Sequence, residues 1–160
     1  MLVFHSRRLI YLLALFAVVA LAVIARQAGH LYLGGIISGF VHDEVLDGPY
    51  RLVAIDISED MLLCRTIGNS GDCVGDGLPK PTVFQAGWNA QYIVVARHPR
   101  QGQGAPNRPV SEFYYIQRKA GEENVLTRVS VVGPLTEGEY QEEKSRLQLP
   151  EFSRIFDDLK

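Results

Sequence analysis

The stretch Tyr50-Arg51-Leu52-Val53-Ala54-Ile55-Asp56-Ile57, Ser58-Glu59-Asp60, Met61-Leu62-Leu63-Cys64-Arg65-Thr66-Ile67 reads as strand, turn, strand. Two apolar runs are split by three polar turn-forming residues, and a tight turn between such runs implies antiparallel neighbours. In the first run Leu52 and Ala54 point opposite to Val53 and Ile55. Neither face is polar along its length, which predicts a central strand.

The same pattern extends downstream. Runs rich in Val, Ile, Tyr and Phe at Thr82–Gln85, Gln91–Arg97, Glu112–Arg118 and Val125–Val132 are punctuated by Gly, Asn, Asp and Pro, with a second turn at Gly121-Glu122-Glu123-Asn124. The expected core is Leu52, Val53, Ile55, Leu63, Ile93, Val95, Phe113, Tyr115, Ile116, Val129 and Val131. Fully burying each such side chain contributes about 1.5–3 kcal/mol.

Beyond the strands the chain turns helical. Thr136 and Glu139 stand in the S/T-x-x-E spacing of a capping box, and Leu135 and Tyr140 occupy the positions of a hydrophobic staple. Glu142 and Arg146 lie four apart in the favourable order. Glu137, Glu139, Glu142 and Glu143 fall in the first turns, where carboxylates stabilise the helix dipole without a catalytic role. Pro150 predicts a stop near Leu149 and the start of a second helix, in which Phe152, Ile155, Phe156 and Leu159 recur at helical spacing. The short helix would dock on the open face of its own sheet, with a partner-binding helix as the alternative.

Upstream, Leu9 to Ala25 is an uncharged apolar run of seventeen residues. At 1.5 Å per residue it spans about 26 Å, enough to cross a bilayer with its flanks. Arg7 and Arg8 precede it, so the positive-inside rule leaves the N-terminus in the cytoplasm and exports the chain beyond Ala25, with Arg26 opposing. Cleavage after Val23-Ile24-Ala25 is the rival, disfavoured because the run exceeds a usual signal-peptide core. Leu31 to Val41 is too short to span, and its small residues at Gly35 and Gly39 offer self-association between helices, against a flexible juxtamembrane hinge. The expected organisation is a cytoplasmic N-terminus, transmembrane helix and juxtamembrane segment over 1–41, and an extracytoplasmic domain over 42–160. The fold class expected is therefore α+β: an N-terminal transmembrane helix, then an antiparallel sheet of about six strands with two C-terminal helices.

Composition limits function more than it defines it. The 160 residues are 47% hydrophobic and 21% charged, room for a single core. All 18 acidic residues lie from Asp43 onward, so residues 42–160 carry thirteen basic side chains against eighteen acidic ones, a net charge of −5. This excludes the basic excess of a nucleic-acid surface.

Cys64 and Cys73 flank Gly68-Asn69-Ser70-Gly71, which can fold back and join the sulfurs if the domain is exported. Their spacing fits neither a redox motif nor, without convergent histidines, a zinc site. His42-Asp43-Glu44 clusters an imidazole with carboxylates, but consecutive residues point apart, so a solvated juncture is the plainer reading. Asp72 and Asp76 sit in a Gly-rich loop that lacks the terminal glutamate of a calcium-binding EF-hand. No nucleophile elbow or phosphate-binding glycine pattern is present, and no cofactor or catalytic residue is expected. His98 to Pro109, with three prolines and two glycines, is a loop without an apolar anchor, read as mobile in preference to functional.

Gly87-Trp88-Asn89, Tyr92-Ile93-Val94, Phe113-Tyr114-Tyr115-Ile116 and Gly133-Pro134-Leu135-Thr136, closing at Leu149-Pro150, resemble in order and spacing small bacterial lipoprotein-like envelope domains of unknown function. The resemblance covers Gly48 to Pro150 and implies an envelope location without an activity. Those domains carry a lipid-anchoring cysteine. Here no cysteine precedes Cys64, and a transmembrane helix would stand in for the lipid.

The function expected is a single-pass, inner-membrane protein presenting a periplasmic domain that binds an envelope protein partner. Trp88, Tyr92, Tyr114 and Tyr115 with Arg100 and Arg108 are the candidate contacts, because aromatics and arginine concentrate binding energy. Burial of the four aromatics in the core is the alternative. An immunity or inhibitor protein against a periplasmic toxin or hydrolase is a second reading. An enzyme is a third, requiring a polar site around His98, Asp56 or the His42 cluster.

Overall fold

The computed structural model describes residues 40–68, 72–102, 104–119 and 128–160, all within one unit, Phe40–Lys160. The expected membrane segment Leu9 to Ala25, the glycines Gly35 and Gly39 and the turn Gly121 to Asn124 lie outside the described residues. Among the described residues no helix is long and apolar enough to cross a membrane.

The strands in chain order are β1 (His42–Asp47), β2 (Tyr50–Ala54), β3 (Leu62–Thr66), β4 (Cys73–Val74), β5 (Val83–Trp88), β6 (Tyr92–Arg97), β7 (Glu112–Gln117) and β8 (Ser130–Leu135). Helix α1 (Glu137–Leu147) comes next, and β9 (Arg154–Ile155) is the last of these elements. They form two antiparallel sheets, one ordered β1-β2-β3-β4 and the other β8-β7-β6-β5-β9. The expected α+β arrangement is thus corrected. The described residues hold two sheets in place of one, a single α-helix in place of two C-terminal helices, and a mostly β architecture.

Three strands account for most of the difference. β1 carries Asp43, Glu44 and Asp47, which disguise it as a polar juncture. It is an edge strand, where charge is tolerated and discourages further pairing. Asp43 pairs with Arg51 across the ladder while Leu46 enters the core. β4 is two residues long and lies opposite Arg65 and Thr66, close to the Cys64–Cys73 disulfide. Between it and β5, Pro79 and Pro81 have no N–H to donate to a ladder, and the second sheet begins after them at Val83.

β9 replaces the second helix. Ser153 N–H donates to the Ala86 carbonyl at 2.9 Å and Phe156 N–H to the Phe84 carbonyl at 3.0 Å. A short helix would have left that edge of β5 unpaired, and its own nucleation is unfavourable. In the extended chain the two aromatics part: Phe152 packs against Phe113 and Tyr140 on the α1 side, while Phe156 meets His42 of the first sheet.

The two faces of the second sheet meet different layers. On β7, Phe113 stacks on Tyr140 of α1 with ring centroids 5.0 Å apart, and the Tyr115 hydroxyl donates to Glu143 at 2.9 Å. Alternation turns Tyr114 and Ile116 to the opposite face, with Ile93 and Val95 of β6. Those residues join Leu46, Tyr50, Leu52 and Leu63 of the first sheet in one buried cluster. Of the expected core, Leu52, Val53, Leu63, Ile93, Val95, Phe113, Tyr115 and Ile116 are buried, and Val129 and Val131 pack half-buried against it. Ile55 is the exception at 51% exposure, because β2 ends at Ala54 and Ile55 points outward beyond it.

Helix α1 begins as its sequence dictates. The Thr136 side chain accepts from the Glu139 N–H, and the Thr136 N–H donates to the Glu139 carboxylate at 2.7 Å. Gln148 ends the helix in the left-handed conformation, φ 55°. The expected Glu142–Arg146 pair is replaced by Glu143–Arg146. Glu143 also receives the Tyr115 hydroxyl, so it lies on the flank that faces the sheet.

Candidate functional site

The six residues singled out from sequence do not converge. Tyr92 and Tyr115 meet edge to face, with centroids 6.1 Å apart, on the helix-covered side of the second sheet. Trp88 lies half-buried under the Arg154 guanidinium, 5.3 Å from ring centroid to cation. Tyr114 is buried, with its hydroxyl donating to Glu112 at 2.8 Å and the Arg97 guanidinium 5.9 Å from its ring centroid. Burial and the hydrogen bonds to Glu112 and Glu143 hold the Tyr114 and Tyr115 phenols above their ordinary value. Arg108 ties the loop before β7 to the end of the chain by donating to the carbonyls of Lys160 at 2.6 Å and Asp158 at 3.0 Å.

Of the six, Arg100 lines a pocket. This concavity of about 510 Å³ is bounded by Asp56, Ile57 and Asp60 after β2, Lys80 and Pro81 before β5, Arg97 at the end of β6, and Arg100 and Gly102 in the loop after it. It lies where the chain crosses between sheets. Val83 N–H donates to the Met61 carbonyl at 2.8 Å, and the Thr82 hydroxyl donates to the Glu59 carbonyl.

The loop is tied down from within. The Asn107 N–H donates to the Pro99 carbonyl at 2.8 Å, and Arg100 Nε donates to the Gly104 carbonyl at 2.8 Å. His98 Nδ1 lies 2.8 Å from the Val110 carbonyl oxygen, as donor, and its ring stacks on Phe84 at 4.1 Å. Each bond removes freedom from a segment whose prolines and glycines suggested mobility.

Both arginines at the pocket are fixed by backbone oxygens. Arg97 Nη1 donates to the carbonyls of Lys80 at 3.2 Å and Pro81 at 2.8 Å, while its Nε and Nη2 engage Glu112. Arg100 Nη1 donates to the Glu59 carbonyl at 3.2 Å and to the Asp60 carboxylate. The pocket reaches Asp56 but neither His98 nor His42. His42 instead lies 3.4 Å from Glu44 and edge-on to Phe156. Among the described residues no three His, Cys, Asp or Glu side chains gather to hold a metal ion.

Sequence reasoning missed Asp56, Ile57, Asp60, Lys80, Pro81, Arg97 and Gly102 as pocket residues. The available signal was the pairing of Arg97 and Arg100 across a strand end, next to a loop rich in proline and glycine. No family model, no curated protein and no solved structure matches the chain. The functional reading therefore stands on the chain's own residues.

Proposed function

We propose that the chain is a bacterial envelope protein whose domain 42–160 lies outside the cytoplasm, held at the inner membrane by Leu9 to Ala25, and acts by binding. The observation that carries the reading is the disulfide between Cys64 and Cys73, whose Cα atoms are 5.5 Å apart. Structural disulfides persist in oxidising compartments and are rare in the cytosol. The apolar run and its basic N-terminal flank support the same side of the membrane. The pocket at Arg100 is the binding site in this reading, in place of the scattered aromatics. Its arginines are held in advance by carbonyl oxygens, which lowers the ordering cost of recognition.

The test is a reporter active only outside the cytoplasm, fused after Lys160, combined with thiol alkylation under non-reducing conditions. Reporter activity with both cysteines protected from alkylation supports the reading. An inactive reporter with both thiols alkylated overturns it.

A further inference from the structure

The pocket's polar groups divide into those already committed and those left open. On Arg100, Nε and Nη1 are taken by Gly104, Glu59 and Asp60, while Nη2 has no protein partner among the described residues. The Arg100 side chain keeps 13% of its surface exposed and lines the pocket, which leaves Nη2 as the uncommitted edge of the guanidinium there. Arg97 is occupied at every nitrogen by Glu112, Lys80 and Pro81. Lys80 and Asp56, both exposed at the pocket, make no side-chain hydrogen bond or ion pair among the described residues.

The open groups are thus a guanidinium edge and an ammonium on one hand, and a carboxylate on the other. Glu112 and Asp60 offset the two arginines, so no large positive field is left to draw in a highly charged anion. Ile57, 47% exposed, and Pro81 supply apolar lining to the same pocket. A volume of about 510 Å³ falls in the range of small-ligand sites.

The geometry points to a compact zwitterion of the amino-acid or short-peptide class as the ligand of this pocket. Its carboxylate is received by Arg100 Nη2 and Lys80, its ammonium by Asp56, and its aliphatic part by Ile57 and Pro81. A guanidinium edge matches carboxylate geometry, and fixing Arg100 in advance leaves little entropy to lose on binding. The inference rests on the pocket being the binding site and is independent of the compartment.

Isothermal titration of the full chain in non-ionic detergent with alanyl-alanine, acetate and ethylamine tests it. The dipeptide is expected to bind at least about tenfold more tightly than either single-charge probe. Arg100 also braces the loop, so the variants are placed at the unpaired groups. Lys80→Gln should weaken both dipeptide and acetate, and Asp56→Asn should weaken the dipeptide while leaving acetate unchanged. No heat from any probe up to roughly 10 mM overturns the proposal. Equal affinity for acetate and dipeptide overturns it too, as does dipeptide binding indifferent to both substitutions. A cytoplasmic domain in the reporter assay would sink the envelope reading and leave this titration untouched.

Discussion

A Cβ placed on Gly87 would stand 2.0 Å from the carbonyl oxygen of Glu151. The segment after Pro150 therefore crosses β5 over a residue with no side chain, and its backbone reaches the sheet only because that space is empty. Ser153 and Phe156 then complete the edge of β5. Gly87→Ala should force the two backbones apart and cost about 1–3 kcal/mol, since no flexible side chain can yield. Urea denaturation should show the loss, and limited proteolysis should show faster cleavage between Pro150 and Phe156. Unchanged stability and protection would mean that the segment docks without needing this close approach.

How much of this was legible can be traced to particular residues. The Thr136–Glu139 spacing is local chemistry, and it opened α1 as expected. Strands β2, β3, β6 and β7 were readable from runs of Val, Ile, Tyr and Phe bounded by turn residues. β9 was not legible, because Phe152, Ile155, Phe156 and Leu159 recur at helical spacing and only the open edge of β5, a long-range partner, makes the segment extended. The pocket was not legible either. Asp56, Lys80 and Arg100 belong to three separate connections and form no motif; they line one pocket where the sheets join, beside the Val83–Met61 hydrogen bond.

The Cys64–Cys73 bridge links β3 to its edge neighbour β4 in the first sheet. In the chain-entropy model, closing so short a loop stabilises by about 2–3 kcal/mol by restricting the unfolded chain. The double variant Cys64→Ala, Cys73→Ala should lose that much unfolding free energy relative to the oxidised protein, read from the urea midpoint. Adding reductant to the unmodified chain should reproduce the loss but leave the double variant unaffected. If the variant and the oxidised chain unfold together, the bridge contributes nothing to stability.

Acid should weaken the domain partly through α1. Backbone and hydroxyl hydrogen bonds from Thr136 hold the Glu139 carboxyl below its ordinary value of 4.5, and Arg146, then Tyr115, does the same for Glu143. A carboxyl whose pKa is depressed by folding contributes stability above the unfolded value and loses it as pH falls through the folded value. The contribution should be complete at neutral pH and fade from about pH 4.5 downward. Urea midpoints at about pH 7 and about pH 3 should therefore differ less for Glu139→Gln, Glu143→Gln than for the unmodified chain. An identical difference in both proteins would remove these two groups from the acid response.

Tyr140 stabilises through its ring and not through its hydroxyl. The side chain is fully buried, stacked on Phe113 at 5.0 Å and on Phe152 at 5.6 Å, yet its hydroxyl has no hydrogen-bond partner among the described residues. Burial, with the charge of Glu151 adding to it, pushes the phenol up to about 12, so it stays neutral at neutral pH. An unpaired buried hydroxyl costs stability, and removing it with its shape preserved relieves that cost. Tyr140→Phe should leave the protein as stable or raise it by about 1 kcal/mol, read from the urea midpoint. Tyr140→Ala should lose about 3–5 kcal/mol, because it empties the space between β7 and the segment that carries Phe152. A substantial loss in the phenylalanine variant would show that the hydroxyl is bonded in solution. The stacked rings would then be only part of what holds α1 to the sheet.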